Sequence, residues 1–124
     1  MSISNSYENT LLDYITSTVL WVGLSTADPL DTAAGLAEPS SGAYARVEVP
    51  STYWADAASG SVTTDTAITF PRATGSWGTV THVCIFNAAS GGTLLWSGAL
   101  GASLAVTSGM QPQFAIGALT LTLD

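Results

Sequence analysis

Val80-Thr81-His82-Val83-Cys84-Ile85-Phe86 is the stretch on which the fold turns. It is dense in β-branched and aromatic residues, which suit a pleated, half-buried backbone. Successive side chains of a strand point to opposite faces. Val83 and Ile85 are as apolar as the positions around them, so the segment predicts a central strand covered on both faces. Asn87 to Gly92 (NAASGG) reads as a hairpin-type connection, and Thr93 to Trp96 continues beyond it. Ser103 to Thr107 and Gln113 to Ile116 flank a Ser108-Gly109 turn. Leu119 to Leu123 (LTLTL) alternates with period two, leucines on one face and Thr120 and Thr122 on the other.

Upstream, Ala67 to Phe70 and Tyr44 to Val49 (YARVEV) are further strand candidates, and Val19 to Leu24 (VLWVGL) is a continuous apolar run expected to be a buried strand. Tyr53 and Trp54 precede an Ala57–Gly60 turn. A helix is predicted over about residues 5–17. Asn5 and Glu8 have capping-box spacing, and Tyr7, Leu11, Tyr14 and Ile15 recur at helical intervals. Residues 25–43 form a long turn-rich loop, and loops of that length are often functional. These signals predict an all-β chain: a sandwich or jelly roll of about eight short antiparallel strands with one short N-terminal helix. At 124 residues it is expected to be a single domain, 1–124.

Charged residues make up only 9% of the chain, against about 25% in a typical soluble domain. There is no lysine; Arg46 and Arg72 are the cationic side chains, and the net charge is −7. Interfaces that stay buried are poor in charge and rich in aromatics. The composition therefore predicts faces made to be covered by other polypeptides. Two arginines cannot build the basic face that a phosphate backbone or an anionic membrane requires, so neither nucleic acid nor membrane is an expected partner. No apolar run reaches the roughly 18 residues of a membrane span, and the N-terminus lacks the pattern of a secretory signal. Assembly in a cytoplasm is the expectation.

Few residues offer chemistry. His82 and Cys84 fall on one face of the same strand, the proximity a thiolate–imidazole pair needs. No orienting third group or oxyanion donor can be named beside them. Asp28, Asp31 and Glu38 populate the long loop as carboxylates that could bind calcium, but their spacing is not that of an EF-hand. No P-loop, dinucleotide, GxSxG or zinc pattern occurs, and one cysteine excludes an internal disulfide. No catalytic, cofactor or metal residues are assigned. Of the four tryptophans, Trp21 and Trp96 lie in apolar strands and are expected in the core. Trp54 and Trp77 lie beside turns and are the better candidates for a contact surface. Asp28, Pro29 and Glu38, on the long loop, join them as candidate protein-contact residues.

The order of segments resembles a known family. Leu24-Ser25-Thr26-Ala27-Asp28-Pro29, Glu38 and Gly42-Ala43-Tyr44-Ala45-Arg46 are followed by Ile68-Thr69-Phe70-Pro71 and Trp77 to Val83. Ile85-Phe86-Asn87-Ala88-Ala89 and the closing LTLTL complete the series. Together they resemble small virion-associated structural proteins of tailed bacteriophages, often labelled tail fibre or minor structural proteins. The resemblance implies a non-enzymatic virion component whose partners are the major capsid protein or other virion proteins. Small size and an uncharged, association-prone surface point first to a capsid decoration (cement) protein on the phage head, a homo-oligomer with a trimer favoured. A tail-fibre or adhesion component is the alternative, and a carbohydrate-binding module using Trp54 or Trp77 is a third.

Overall fold

A computed structural model describes residues 1–123. It contains one α-helix and eight strands: α1 (Asn5–Thr16), β1 (Leu20–Ser25), β2 (Val47–Val49), β3 (Ser61–Thr63), β4 (Ile68–Thr69), β5 (Gly78–Phe86), β6 (Leu94–Val106), β7 (Gln113–Phe114) and β8 (Thr120–Thr122). The all-β class and the N-terminal helix are as the sequence predicted. The strands divide into a four-stranded sheet ordered β2-β1-β5-β6 and two ladders, β3-β8 and β4-β7. The chain separates into two compact units.

The first unit comprises Met1–Leu20, Val49–Ile68 and the chain from Gln113 onward. Its helix is capped one residue earlier than Asn5 and Glu8 suggested. Ser4 is extended (φ −65°, ψ 150°), and its hydroxyl accepts from the Tyr7 amide at 3.3 Å. Such a side-chain cap satisfies an amide that the helix itself cannot. Leu12 and Thr16 are buried, and α1 packs on β3 and β8. β3 and β8 are antiparallel, pairing Ser61 with Thr122, Val62 with Leu121 and Thr63 with Thr120. Leu119, Leu121 and Val62 face inward while Thr120 and Thr122 face out, as the two-residue alternation requires. Two helix side chains hold the turn before β3. Asn9 Oδ1 accepts from the Gly60 amide and Asp13 Oδ1 from the Ala57 amide, both at 2.9 Å. Ser59 (φ 54°) and Gly60 (φ 78°) both have positive φ, which a two-residue turn matched to strand twist demands.

The second unit comprises Trp21–Glu48 and Thr69–Pro112. In its sheet β1 runs antiparallel to β5, from Trp21 opposite Phe86 to Ser25 opposite His82. β1 is buried almost throughout, as its unbroken apolar run implied. β5 is antiparallel to β6 on its other side. The sequence suggested separate strands at 93–96 and 103–107; one strand, Leu94–Val106, takes their place. The reason is an interruption of register. Between the pairs His82–Ala99 and Val80–Leu104, Thr81 alone faces the stretch Leu100 to Ser103. Those extra residues, with Gly98 and Gly101, break the period that would have marked a single strand. YARVEV contributes only Val47–Val49 as strand, because Tyr44 and Arg46 serve another purpose.

Candidate interaction surface

Glu38, Tyr44 and Arg46 form a polar knot inside the second unit. Arg46 lies over the Phe86 ring, its guanidinium carbon 3.4 Å from the centroid. Its Nη2 and Nε donate to the two oxygens of Glu38, at 2.6 and 3.0 Å. Its Nη1 donates to the carbonyls of Ala88 and Gly91, at 2.8 and 2.9 Å. Tyr44 donates its hydroxyl to Glu38 at 2.6 Å and accepts from the Leu24 amide at 2.9 Å. One ion pair thus ties the end of the long loop to the β1 backbone and to the β5–β6 hairpin loop. The planar fork of arginine suits both the carboxylate and the ring beneath it.

The knot needs a glycine. A methyl group on Gly23 would sit 2.8 Å from the Tyr44 hydroxyl and 3.0 Å from both Glu38 and Phe86. Gly23→Ala is therefore expected to lower stability by about 1–3 kcal/mol, the usual cost of overpacking. Chemical denaturation of the variant checks this; an unchanged midpoint would show that the knot yields freely.

The long loop is closed at its base. Ser25, fully buried, donates its hydroxyl to the Ala27 carbonyl at 2.7 Å and accepts from the Ala37 amide at 3.1 Å. The Thr26 amide and hydroxyl both donate to the Ala37 carbonyl. This makes residues 25–37 a compact surface loop with joined ends.

These contacts place the five residues proposed as a contact surface. Only Asp28 is on the outside, its side chain 64% exposed and 3.9 Å from His82 Nε2. Pro29 is fully buried. Glu38 is engaged by Arg46 and Tyr44. Trp54 and Trp77 are buried, at 7% and 4% exposure. The Trp77 ring meets Tyr44 edge-on at 5.2 Å and Phe70 at 6.3 Å, and its Nε1 donates to the Gly42 carbonyl at 2.8 Å. Trp54 forms an isolated bridge with Thr64, and among the described residues neither Trp54 Nε1 nor Thr64 Oγ1 finds a hydrogen-bond partner. The expected division of tryptophans is reversed, since Trp21 and Trp96 are the partly exposed pair. Proximity to a turn was the misleading signal: a turn residue whose neighbours fold back over it is a core residue.

Glu38 also lies outside any calcium reading of the loop. Among the described residues, no three His, Cys, Asp or Glu side chains gather in a metal-binding cluster. Both arginines bond to groups of this chain, Arg46 in the enclosed knot and Arg72 on the surface. Arg72 donates to the Gly109 carbonyl at 2.6 Å and to Gln111 Oε1 at 3.3 Å. His82 Nδ1 is 2.8 Å from the Thr81 hydroxyl.

Cys84 is fully buried, and burial, followed by the charge of Glu38, pushes its thiol up to about 12 from the ordinary 9.0, with Arg46 opposing. Tyr44 is pushed upward from 10.0, first by burial and then by its hydrogen bond to Glu38. Both groups are held protonated by the fold and ionise more readily once unfolded. Their contribution to stability is complete below about pH 9 and declines as pH rises toward 12. The melting temperature is expected to fall across that alkaline range, and Cys84 should resist thiol reagents at pH 8 until the chain is denatured. Rapid labelling of the folded chain would contradict both statements.

One part of the surface is apolar and uncharged. Residues 73–123 contain no Asp, Glu, Lys or Arg, a blank that the overall charge count conceals. Within it β6 is exposed along nearly its whole length, with Leu95 and Leu104 each 38% accessible. In the first unit Ile116 is 69% exposed, as are Tyr7 (58%) and Tyr14 (73%), two helical turns apart on one side of α1.

A small all-β chain with a long, exposed strand free of charge has the features of a structural protein. The family model described as podophage GP4 fiber I protein gp80 matches residues 2–122. The chain belongs to this family of phage fibre proteins and is a virion structural protein. None of the curated proteins matches it.

Proposed function

We propose that the chain is a non-catalytic subunit of a phage fibre, holding its place in the particle through protein–protein contacts. The observation that carries this is the charge-free stretch 73–123 with β6 exposed within it. Burying such a surface against a neighbour strands no ionised group, which would otherwise be costly. The family's description as a fibre protein favours the tail over the head. Other features support a role without chemistry. The one thiol is buried and held protonated, and the tryptophans that might have stacked on a sugar, Trp54 and Trp77, are enclosed. Both arginines are engaged by this chain's own groups, which speaks against a nucleic-acid partner. Assembly in the host cytoplasm, onto other virion proteins, follows from this reading.

The test is quantitative mass spectrometry of purified particles combined with imaging of where the chain sits. A fibre subunit should be present at the copy number of the tail symmetry and absent from the head surface. Copies at the number of the capsid lattice, spread over the head, would replace this reading with capsid decoration.

A further inference from the structure

We infer that β6 is a self-association edge: two copies of this chain pair antiparallel, β6 against β6, extending the four-stranded sheet across both molecules. The inference rests on the reading of the chain as a fibre subunit and names one contact such a subunit makes.

The two edges of the sheet differ in kind. β2, at one edge, has three residues, carries the exposed Glu48 and runs directly into Pro50. Shortness, a charge and a proline are the usual devices that stop an edge from recruiting another strand. β6, at the other edge, is 13 residues long, LLWSGALGASLAV, with no charge and no proline. Ahead of the register break at Leu100–Ser103, Leu94–Ala99 at about 3.3 Å per residue offers a ladder of roughly 20 Å.

Electrostatics selects the occupant. The chain carries a net charge of −7, yet every one of its acids lies outside residues 73–123. Two copies meeting at β6 bring no carboxylate against another, and a basic partner finds nothing there to pair with. An antiparallel strand also presents the same alternation of donors and acceptors to an identical strand, so the edge is complementary to itself. Because each sheet has only one unguarded edge, like-with-like pairing uses it up and closes at two copies instead of growing into a filament. The trimer expected of a capsid decoration protein would have to use a different surface.

The experiment is sedimentation of the isolated chain over a concentration series, with hydrogen exchange read along the backbone. The wild type is expected to double its mass and to gain protection at β6 as concentration rises. Ser97→Lys with Ala105→Lys puts like charges into the paired ladder. It should remain a single chain while keeping the wild-type circular dichroism spectrum. A control carrying the same charges on the helix, Ser6→Lys with Thr10→Lys, should still double. A wild type that stays single, a three-fold oligomer, or association that survives the β6 charges overturns the inference. So does a control that dissociates as readily as the β6 variant. None of these outcomes bears on whether the chain is found in the tail, so the two readings fail separately.

Discussion

Replacing Glu38 with alanine is expected to cost about 3–5 kcal/mol, the usual consequence of removing one partner of a buried ion pair. The arithmetic follows from what is left behind. Arg46 has 6% of its side chain exposed, so its charge cannot be rehydrated without opening the region. It would keep the Ala88 and Gly91 carbonyls and the Phe86 ring but lose its counter-ion. The Tyr44 hydroxyl would lose its acceptor in the same step. Against a total stability of roughly 5–15 kcal/mol, that is a large fraction. Urea denaturation should show the midpoint falling with little change in slope. Glu38→Met with Arg46→Met removes both charges together and should recover most of the loss, since apolar replacements of a buried pair are often neutral or stabilising. If Glu38→Ala alone cost less than about 1 kcal/mol, the pair would be behaving as a solvated surface bridge.

The same residues show how far the sequence could be read. Glu38 was conspicuous as a loop carboxylate, and loop carboxylates are usually solvated. What fixes its role is the approach of Arg46 and Tyr44 from a segment that also looked like ordinary alternating strand. An ion pair between loop residues leaves no periodic mark. Elements with strong local signals were legible: the β5 run, the LTLTL alternation of β8, the apolar β1 and the helix. β3 was not, because three residues of Ser-Val-Thr carry too little pattern to separate from a turn. The unity of β6 was hidden by the residues that interrupt its register with β5. The exposed edge is a property of sheet order, which no local pattern reports. The charge-free tract that marks it was nevertheless present in the sequence as a run between Arg72 and Asp124.

Trp77→Ala is expected to cost about 3–5 kcal/mol, the range for deleting a buried large aromatic. The ring is 4% exposed and stands edge-on to Tyr44 in a cluster completed by Phe70. Its removal leaves a cavity beside the side chain that anchors Glu38, so the loss should couple to that of Glu38→Ala and not simply add to it. The two buried tryptophans then separate packing from hydrogen bonding. Trp77→Phe keeps most of the apolar volume but deprives the Gly42 carbonyl of its 2.8 Å donor, a further expected loss of about 1–3 kcal/mol. In Trp54→Phe the lost indole N–H has no partner among the described residues, so relief of an unsatisfied buried donor offsets the lost volume. Trp54→Phe should therefore be much the milder change, although both residues are equally enclosed. Thermal melts of the two phenylalanine variants side by side decide the matter. Equal losses would mean that ring size alone governs both sites, and that the Trp77–Gly42 hydrogen bond contributes nothing to holding the loop end in place.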